Sequence, residues 1–412
     1  MYTCALQRIQ ALVNIMLKWI RPLLVSLNRP LSVVLALSTC LISTMNVQAA
    51  TPIIPPAPTI DATSYLLMDA TSGKVLVEQN SHEWVPPASL TKIMTAYVAE
   101  QEIEAGRLSE DDEVLVSVRA WRTGGSKMFI REGTSVSVGD LLRGIIIQSG
   151  NDASIALAEH IAGSEEAFAS MMNQQAAVLG MNDTQFKNAT GLPAEDHYSS
   201  AWDLATLTID LIERYPEHYA VYSERSFSYN DIDQPNRNRL LWRDKSVDGV
   251  KTGFTNAAGY CLVASAVRQG MRLVSVVLGT QSDEARMRES QKLLSYGFRY
   301  FETQTLYDTD VALKEQEIFY GEIDALNLGV AEPVVVTFPR GYYKSIEVDF
   351  ELPRLLEAPI NLGQEVGVMR LRLAGETIYE APLVAQEAVP EAGMFSRLGD
   401  FIYLFFDGLF GE

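Results

Sequence analysis

Cysteine is scarce in this chain: three occur in 412 residues, and two of them, Cys4 and Cys40, fall within the first 49. A lone Cys261 cannot close an internal disulfide, so a chain without that leading segment must be held together by its core. Cys261 lies in an apolar run and reads as a small buried hydrophobe. Histidine is nearly as rare, and His82, His160, His197 and His218 are scattered without ligand spacing, which excludes a metal hydrolase and leaves no metal or cofactor expected. Positive charge is in deficit, with 33 basic residues against 52 acidic ones, a net charge of −19 and no basic block. Nucleic acid is excluded as a partner for such a surface.

The acidic residues are themselves missing from one place. The first 49 positions hold Arg8, Lys18, Arg21 and Arg29 and no acid, followed by the apolar run Leu31 to Met45 and the small-residue end Val47-Gln48-Ala49. A basic stretch, an apolar stretch and a small-residue cleavage site in that order read as a secretory signal cut after Ala49. The run is short for a membrane span of ~20 residues, which disfavours an uncleaved anchor. A lipidated Cys40 fits less well than cleavage at Ala49, and Met16 could equally be the start.

What the chain does have is enough apolar residue, 47% of the total, to bury a large core. After the proline-rich linker 50–61, the runs 64–69 and 75–78 flank a glycine turn and predict a strand hairpin. Pro86-Pro87-Ala88-Ser89-Leu90-Thr91-Lys92 then opens an apolar helix, placing Ser89 and Lys92 three residues apart on one face. A serine hydroxyl attacks only when a base removes its proton, and a lysine kept neutral by burial or a neighbouring cation can serve. A lone Ser-x-x-Lys is expected about once by chance in a chain of this length, so the pair needs context.

Two further motifs supply it. Ser149-Gly150-Asn151 occupies a break between two apolar helices, where it reads either as polar groups projecting from held backbone or as an ordinary helix cap. Lys251-Thr252-Gly253 begins a strand that continues through the apolar runs 260–267 and 272–278, which predicts one antiparallel sheet. Gly253 leaves a sheet edge bare for close approach by a backbone or ligand. Each motif occurs once, in this order, at spacings of 60 and 102 residues.

Together these motifs resemble the penicillin-binding protein and serine β-lactamase superfamily, and within it the low-molecular-mass serine D-alanyl-D-alanine carboxypeptidases of the bacterial envelope. The resemblance implies an α+β fold: a β-lactamase/transpeptidase-like domain over 62–303, with a central antiparallel sheet and a helical subdomain. It also implies a small all-β domain over 304–390 and an amphipathic membrane-associating helix over 391–412. It makes Ser89 the acyl-enzyme nucleophile, Lys92 its base, and Lys251 a neighbouring charge that helps keep Lys92 neutral. Ser149 would pass a proton to the departing D-alanine, and Asn151 would orient Lys92 and the substrate amide. Thr252 and Gly253 lie where the substrate strand docks, Thr252 binding the terminal carboxylate, while the N–H groups of Phe254 and Ser89 form an oxyanion hole. Arg288, in Met287-Arg-Glu-Ser290, and Arg237 would help hold that carboxylate.

The implied partners are peptidoglycan stem peptides, β-lactam antibiotics and the outer surface of the cytoplasmic membrane, in an exported protein. Phe254 departs from the histidine that close relatives often carry after Lys-Thr-Gly, and Arg397 is the only base of a terminal helix that is commonly basic. A serine β-lactamase shares the motifs, but no Glu-x-x-Leu-Asn lies between Ser149 and Lys251 to activate a deacylating water. A D,D-endopeptidase stays open as well, as does an envelope scaffold that binds penicillin without turnover.

Overall fold

A computed structural model describes residues 54–410; the expected signal at 1–49 lies outside the described residues. The chain divides into two compact units, Ile53–Gln304 with Val335–Tyr342, and Thr305–Val334 with the chain from Tyr343 on.

The first unit is built on five antiparallel strands, β1 (Ser64–Asp69), β2 (Val75–Gln79), β3 (Val247–Thr255), β4 (Gly259–Arg268) and β5 (Met271–Thr280), in the order β2-β1-β5-β4-β3. Their near-continuous apolar sequences follow from burial on both faces. Leu66, Met68, Val263, Val274 and Val276 point to one side, and Leu67, Leu262, Ala264 and Leu273 to the other, the period-2 alternation of a strand. On the second side lies the helix α5 (Asp283–Tyr300), through Met287, Leu293, Leu294 and Phe298. On the first side lies a helical group: α1 (Thr91–Glu104), α2 (Asn151–Ala162), α3 (Glu165–Val178) and α4 (Ala201–Arg214).

At the centre of that group, α1 is buried at every position from Thr91 to Glu100, so it has no solvent face for most of its length. Ser164, Ser200 and Ser282 each accept an N–H three residues on and start α3, α4 and α5. The sequence puts Asp248-Gly249 in a turn ahead of the Lys-Thr-Gly strand. Both residues instead lie within β3, where a bulge between Val247 and Gly249 absorbs the irregularity.

The second unit is the expected small all-β domain. Its sheet has five strands, Lys314–Glu317, Ala325–Val330, Glu376–Ala385, Glu365–Leu373 and Ile346–Glu351 in spatial order. Leu326, Leu328, Ile318, Ile360 and Val389 form its core. The strand Val334–Pro339, inside the 304–390 expected for this domain, pairs with Phe301–Tyr307 rather than joining this sheet. The chain ends in the helix α6 (Met394–Phe410).

Candidate active site

Ser89 stands in a single 3-10 turn, Ala88–Leu90, that runs directly into α1. Its neighbours Ala88 and Leu90 are buried while Ser89 is partly exposed, so the turn presents one hydroxyl to solvent. Ala88 holds this aim with a φ of +50°, a left-handed conformation that costs an alanine about 1 kcal/mol. The turn seats against the edge strand β3. A Cβ on Gly253 would lie 3.1 Å from the Pro87 carbonyl oxygen and 3.2 Å from Ala88 Cβ. The bare sheet edge is therefore filled at Gly253 by the turn that carries Ser89.

Lys92 is buried, and its ammonium donates to Ser89 Oγ (3.2 Å), Asn151 Oδ1 (2.7 Å) and the Thr190 carbonyl (2.5 Å). Burial pulls its pKa down from 10.5 to about 7, opposed by the charge of Asp152 and assisted by Arg237. Lys251 is equally buried and donates to the Thr252 carbonyl (3.0 Å). Its own pKa is driven well down by burial and then by Lys92. Arg237 is thus a second cation acting on Lys92, beside Lys251, with which Lys92 interacts electrostatically.

Asn151 opens α2, and its amide is fixed at both ends: Oδ1 takes the lysine, and Nδ2 donates to the Gly124 carbonyl (2.8 Å). Its backbone N–H donates to the Ser126 carbonyl (2.8 Å). The next residue, Asp152, gathers the N–H groups of Met128, Phe129 and Ile130 on its carboxylate and ties down the loop that carries those carbonyls. The segment 121–126 is helical to Arg122 and anchored beyond it. Ser149 closes the preceding helical segment in a left-handed conformation, φ +65°, so neither it nor Asn151 caps α2 with its side chain. Its buried Oγ has no hydrogen-bond partner among the described residues. An unmet buried hydroxyl costs about 1–3 kcal/mol, which a substrate's polar group would recover.

Thr252 is buried on β3, and Phe254 is 47% exposed with its ring against Tyr260, centroids 4.3 Å apart. Arg237 leans over the site from a loop in which asparagines and arginines alternate. The buried Asn236 and Asn238 donate to the carbonyls of Glu224 and Gly249, and Arg237 donates to the Gln148 carbonyl (2.9 Å). Arg288 does not join them. It is half exposed and paired with Glu289 at 2.9 Å. The residue in its expected place is Arg286, buried, donating to the Gly253 carbonyl (2.8 Å) and paired with Asp283.

Nothing in the motifs pointed to the segment 188–197, yet it completes the site. Asn188 Oδ1 accepts the N–H groups of Thr190 and Gly191, a tight turn that delivers the Thr190 carbonyl to Lys92. Gly191, at φ +78°, could carry no side chain, since a Cβ would fall 1.8 Å from the Ala88 oxygen. His197 accepts the Lys187 N–H at Nδ1 (3.1 Å) and so donates from Nε2 to Thr91 Oγ1 (2.9 Å), fastening the segment to α1. The Asn-x-x-Gly spacing was the available signal for this turn.

Residues 50–282 match the D-alanyl-D-alanine carboxypeptidase family, and residues 301–391 match the C-terminal domain of penicillin-binding protein 5. The chain belongs to the D-alanyl-D-alanine carboxypeptidase family. It is 47% identical over 364 residues to D-alanyl-D-alanine carboxypeptidase DacC of Escherichia coli, covering 86% of this chain and 91% of that one. To DacA of the same organism it is 43% identical over 366 residues, covering 87% and 91%. Penicillin-binding protein 5 from Haemophilus influenzae superposes with a TM-score of 0.79 at 41% identity, over 82% of this chain and 99% of that structure. The chain is a serine carboxypeptidase of this family, and in its first unit Lys92 donates to Ser89 Oγ at 3.2 Å.

Proposed function

We propose that this carboxypeptidase removes the terminal D-alanine from peptidoglycan stem peptides through an acyl-enzyme on Ser89. The observation that carries the proposal is the buried Lys92 amine 3.2 Å from Ser89 Oγ, its pKa lowered to about 7, so that a large neutral fraction exists at neutral pH. Lys92 takes the hydroxyl proton as Oγ bonds to the penultimate residue's carbonyl carbon. The N–H groups of Ser89 and Phe254 receive the oxyanion. The amide C–N bond breaks, and Ser149, with no other partner among the described residues, passes a proton to the leaving amine. Water then hydrolyses the ester, with Lys92 again as base. Lys251, Thr252, Arg237 and Arg286 supply the charge and hydroxyl that hold the substrate's terminal carboxylate.

A β-lactam enters the same path, and among the described residues no free carboxylate stands beside Ser89 as a second base for hydrolysing its ester. Glu165, the buried acid whose charge reaches Lys92, has its oxygens occupied by the Ala189 N–H (3.1 Å) and Arg119 (2.6 Å). Incubation with a fluorescent penicillin and a D-Ala-D-Ala peptide tests the reading. A stable adduct and released D-alanine are expected, both lost in Ser89→Ala. Adduct without D-alanine release would instead favour the scaffold, and rapid antibiotic turnover the β-lactamase.

The same proposal places the protein at the outer face of the cytoplasmic membrane through α6. No helix among the described residues is long and apolar enough to cross a membrane. In α6 the usual docking arrangement is reversed. The acidic side chain Asp400 is 2% exposed and accepts the Tyr320 N–H (2.7 Å), while Phe395 is 87% and Phe401 58% exposed. A helix that buries Asp400 and offers aromatic residues to solvent suits a lipid interface.

A further inference from the structure

Two stacked pairs of aromatic rings stand on the segments that lead to the turn of Ser89. Trp84 lies flat on Tyr198, with centroids 4.4 Å apart and planes 8° from parallel, and His82 lies on Trp202 at 4.9 Å. Asp183 joins the pairs: one carboxylate oxygen accepts the Trp84 indole N–H (2.9 Å) and the other meets His82 Nδ1 (2.8 Å). Those bonds, the indole's first, hold the Asp183 carboxyl below its usual range, so it is ionised at neutral pH and clamps both rings. Trp84 is nevertheless 59% exposed. A tryptophan that served the core would withdraw from water, whereas this one has one face on Tyr198, the other open and its edge fixed. A flat apolar face already held in a single pose gives up little freedom when something binds to it.

The platform is made from the same two segments as the site. Trp84 stands shortly before Ser89 in the chain, and Tyr198 follows the turn and ring by which Thr190 and His197 hold Lys92 and Thr91. Backbone bonds between Val85 and Ser199, at 2.9 and 3.0 Å, tie the two segments together at the rings. The chain from Trp84 to Ser89 spans at most about 18 Å, and the stem residues between a sugar and the carbonyl that Ser89 attacks reach about 13–14 Å. The two lengths are commensurate. The rest of the rim is acidic, with Glu83, Glu195 and Asp196 exposed on these segments. Such a rim repels an anionic group and accepts hydrogen bonds from hydroxyls, so it suits a neutral polyol better than a peptide bearing carboxylates.

We propose that Trp84, backed by Tyr198, is a binding site for a sugar ring of the glycan strand, holding the strand that bears the stem peptide while Ser89 acts on the peptide's far end. A pyranose presents a face of ring C–H groups, which are weakly positive, and the face of an indole is the negative side of its quadrupole. The hydroxyls around the sugar's edge then meet the acidic rim. The substrate is thus recognised at both ends, by its sugar at Trp84 and by its terminal carboxylate at the catalytic centre. The inference rests on the Ser89 reading above.

The test is calorimetry on full-length Ser89→Ala, which cannot turn its ligand over. It compares a stem pentapeptide ending in D-Ala-D-Ala with the same pentapeptide carried on its N-acetylglucosaminyl-N-acetylmuramyl disaccharide. The disaccharide is expected to tighten binding by about tenfold, and adding Trp84→Ala to bring the two affinities within about twofold of each other. Trp84→Phe keeps a ring on Tyr198 and gives up only the indole N–H, so it is expected to retain a preference of about threefold or more. Equal affinities for the two ligands before any change at Trp84 would overturn the proposal and spare the Ser89 reading. A loss in Trp84→Ala that is equal for both ligands would overturn it as well, since Trp84 would then act on the turn of Ser89 or on the peptide. D-alanine release is measured separately on the parent protein: its absence would remove the Ser89 reading, while the difference in affinity still decides whether the platform takes the sugar.

Discussion

Lys92 is subject to two opposed effects at one atom. Holding its pKa near 7 rather than 10.5 destabilises the folded state progressively as pH falls from the upper value to the lower, and fully below it. The size is on the order of 4–5 kcal/mol. Replacing it with methionine relieves that penalty and leaves the acceptors on Asn151 and Thr190 unmet, at about 1–3 kcal/mol each. The two nearly cancel. Lys92→Met is therefore expected to melt within about 5 °C of the parent while losing about 10²–10⁴-fold in penicillin acylation. A large fall in melting temperature would mean that the amine serves the fold.

The same residue fixes the pH dependence. Only neutral Lys92 can accept the serine proton, and the neutral fraction grows as pH rises through about 7. Acylation by a penicillin should rise about tenfold per pH unit on the acid side and level off above that value. Phe254 cannot add a titrating step of its own, because its ring carries no proton to lose. A rate that falls between pH 7 and 9 would place the base elsewhere.

At the scale of elements, the site is a convergence of two backbones on one turn, and glycine marks each contact. Gly253 lets β3 approach the turn of Ser89, and Gly191 lets the 188–197 segment pass beneath Ala88. The two differ in how much must move. A methyl at Gly253 asks its neighbours for a few tenths of an ångström, whereas one at Gly191 meets a carbonyl oxygen at 1.8 Å with the backbone already left-handed. Gly253→Ala is expected to lose acylation by roughly tenfold with a melting temperature shifted by under about 3 °C. Gly191→Ala is expected to fall by more than about 6 °C as well. The order of these two melting temperatures, measured by calorimetry, decides whether the contacts are as described.

The sequence disclosed side chains better than backbones. Ser89, Lys92, Ser149, Asn151 and Lys251 could be singled out as candidates because the proposed chemistry calls for those residue types. The Thr190 carbonyl could not, since every residue has one and only the Asn188 turn aims it. Arg288 was chosen over Arg286 for a geometric reason. Residues two apart on a helix point about 200° away from each other, and an alternating polar and apolar stretch such as Ala285-Arg286-Met287-Arg288 does not tell which side the sheet covers. The packing of α5 on the sheet turns Arg286 inward and leaves Arg288 to Glu289. In the same way, nothing in Val334–Pro339 distinguishes a strand of the β domain from one that pairs with 301–307, because both need the same apolar run.

For the molecule as a whole, a net charge of −19 sets the terms on which it can meet a membrane. Anionic lipid repels such a surface, and the only base of α6, Arg397, is paired with Glu391 at 2.5 Å. A free basic residue near an anionic bilayer contributes about 1 kcal/mol, and here that contribution is absent. What remains is the apolar face, where Met394 is 78%, Leu398 55% and Phe405 55% exposed. Each large side chain withdrawn from water contributes about 1.5–3 kcal/mol. Binding to neutral vesicles is therefore expected to be unchanged between about 0.05 and 0.5 M salt, and binding to anionic vesicles to be weaker at low salt and to approach the neutral value as salt screens the repulsion. Leu398→Asp with Phe401→Asp should weaken it by more than about 100-fold, with D-alanine release in solution unaltered. Sedimentation with vesicles measures both, and affinity that needs anionic lipid or collapses with salt would show that apolar burial by α6 is not what holds the protein to the surface.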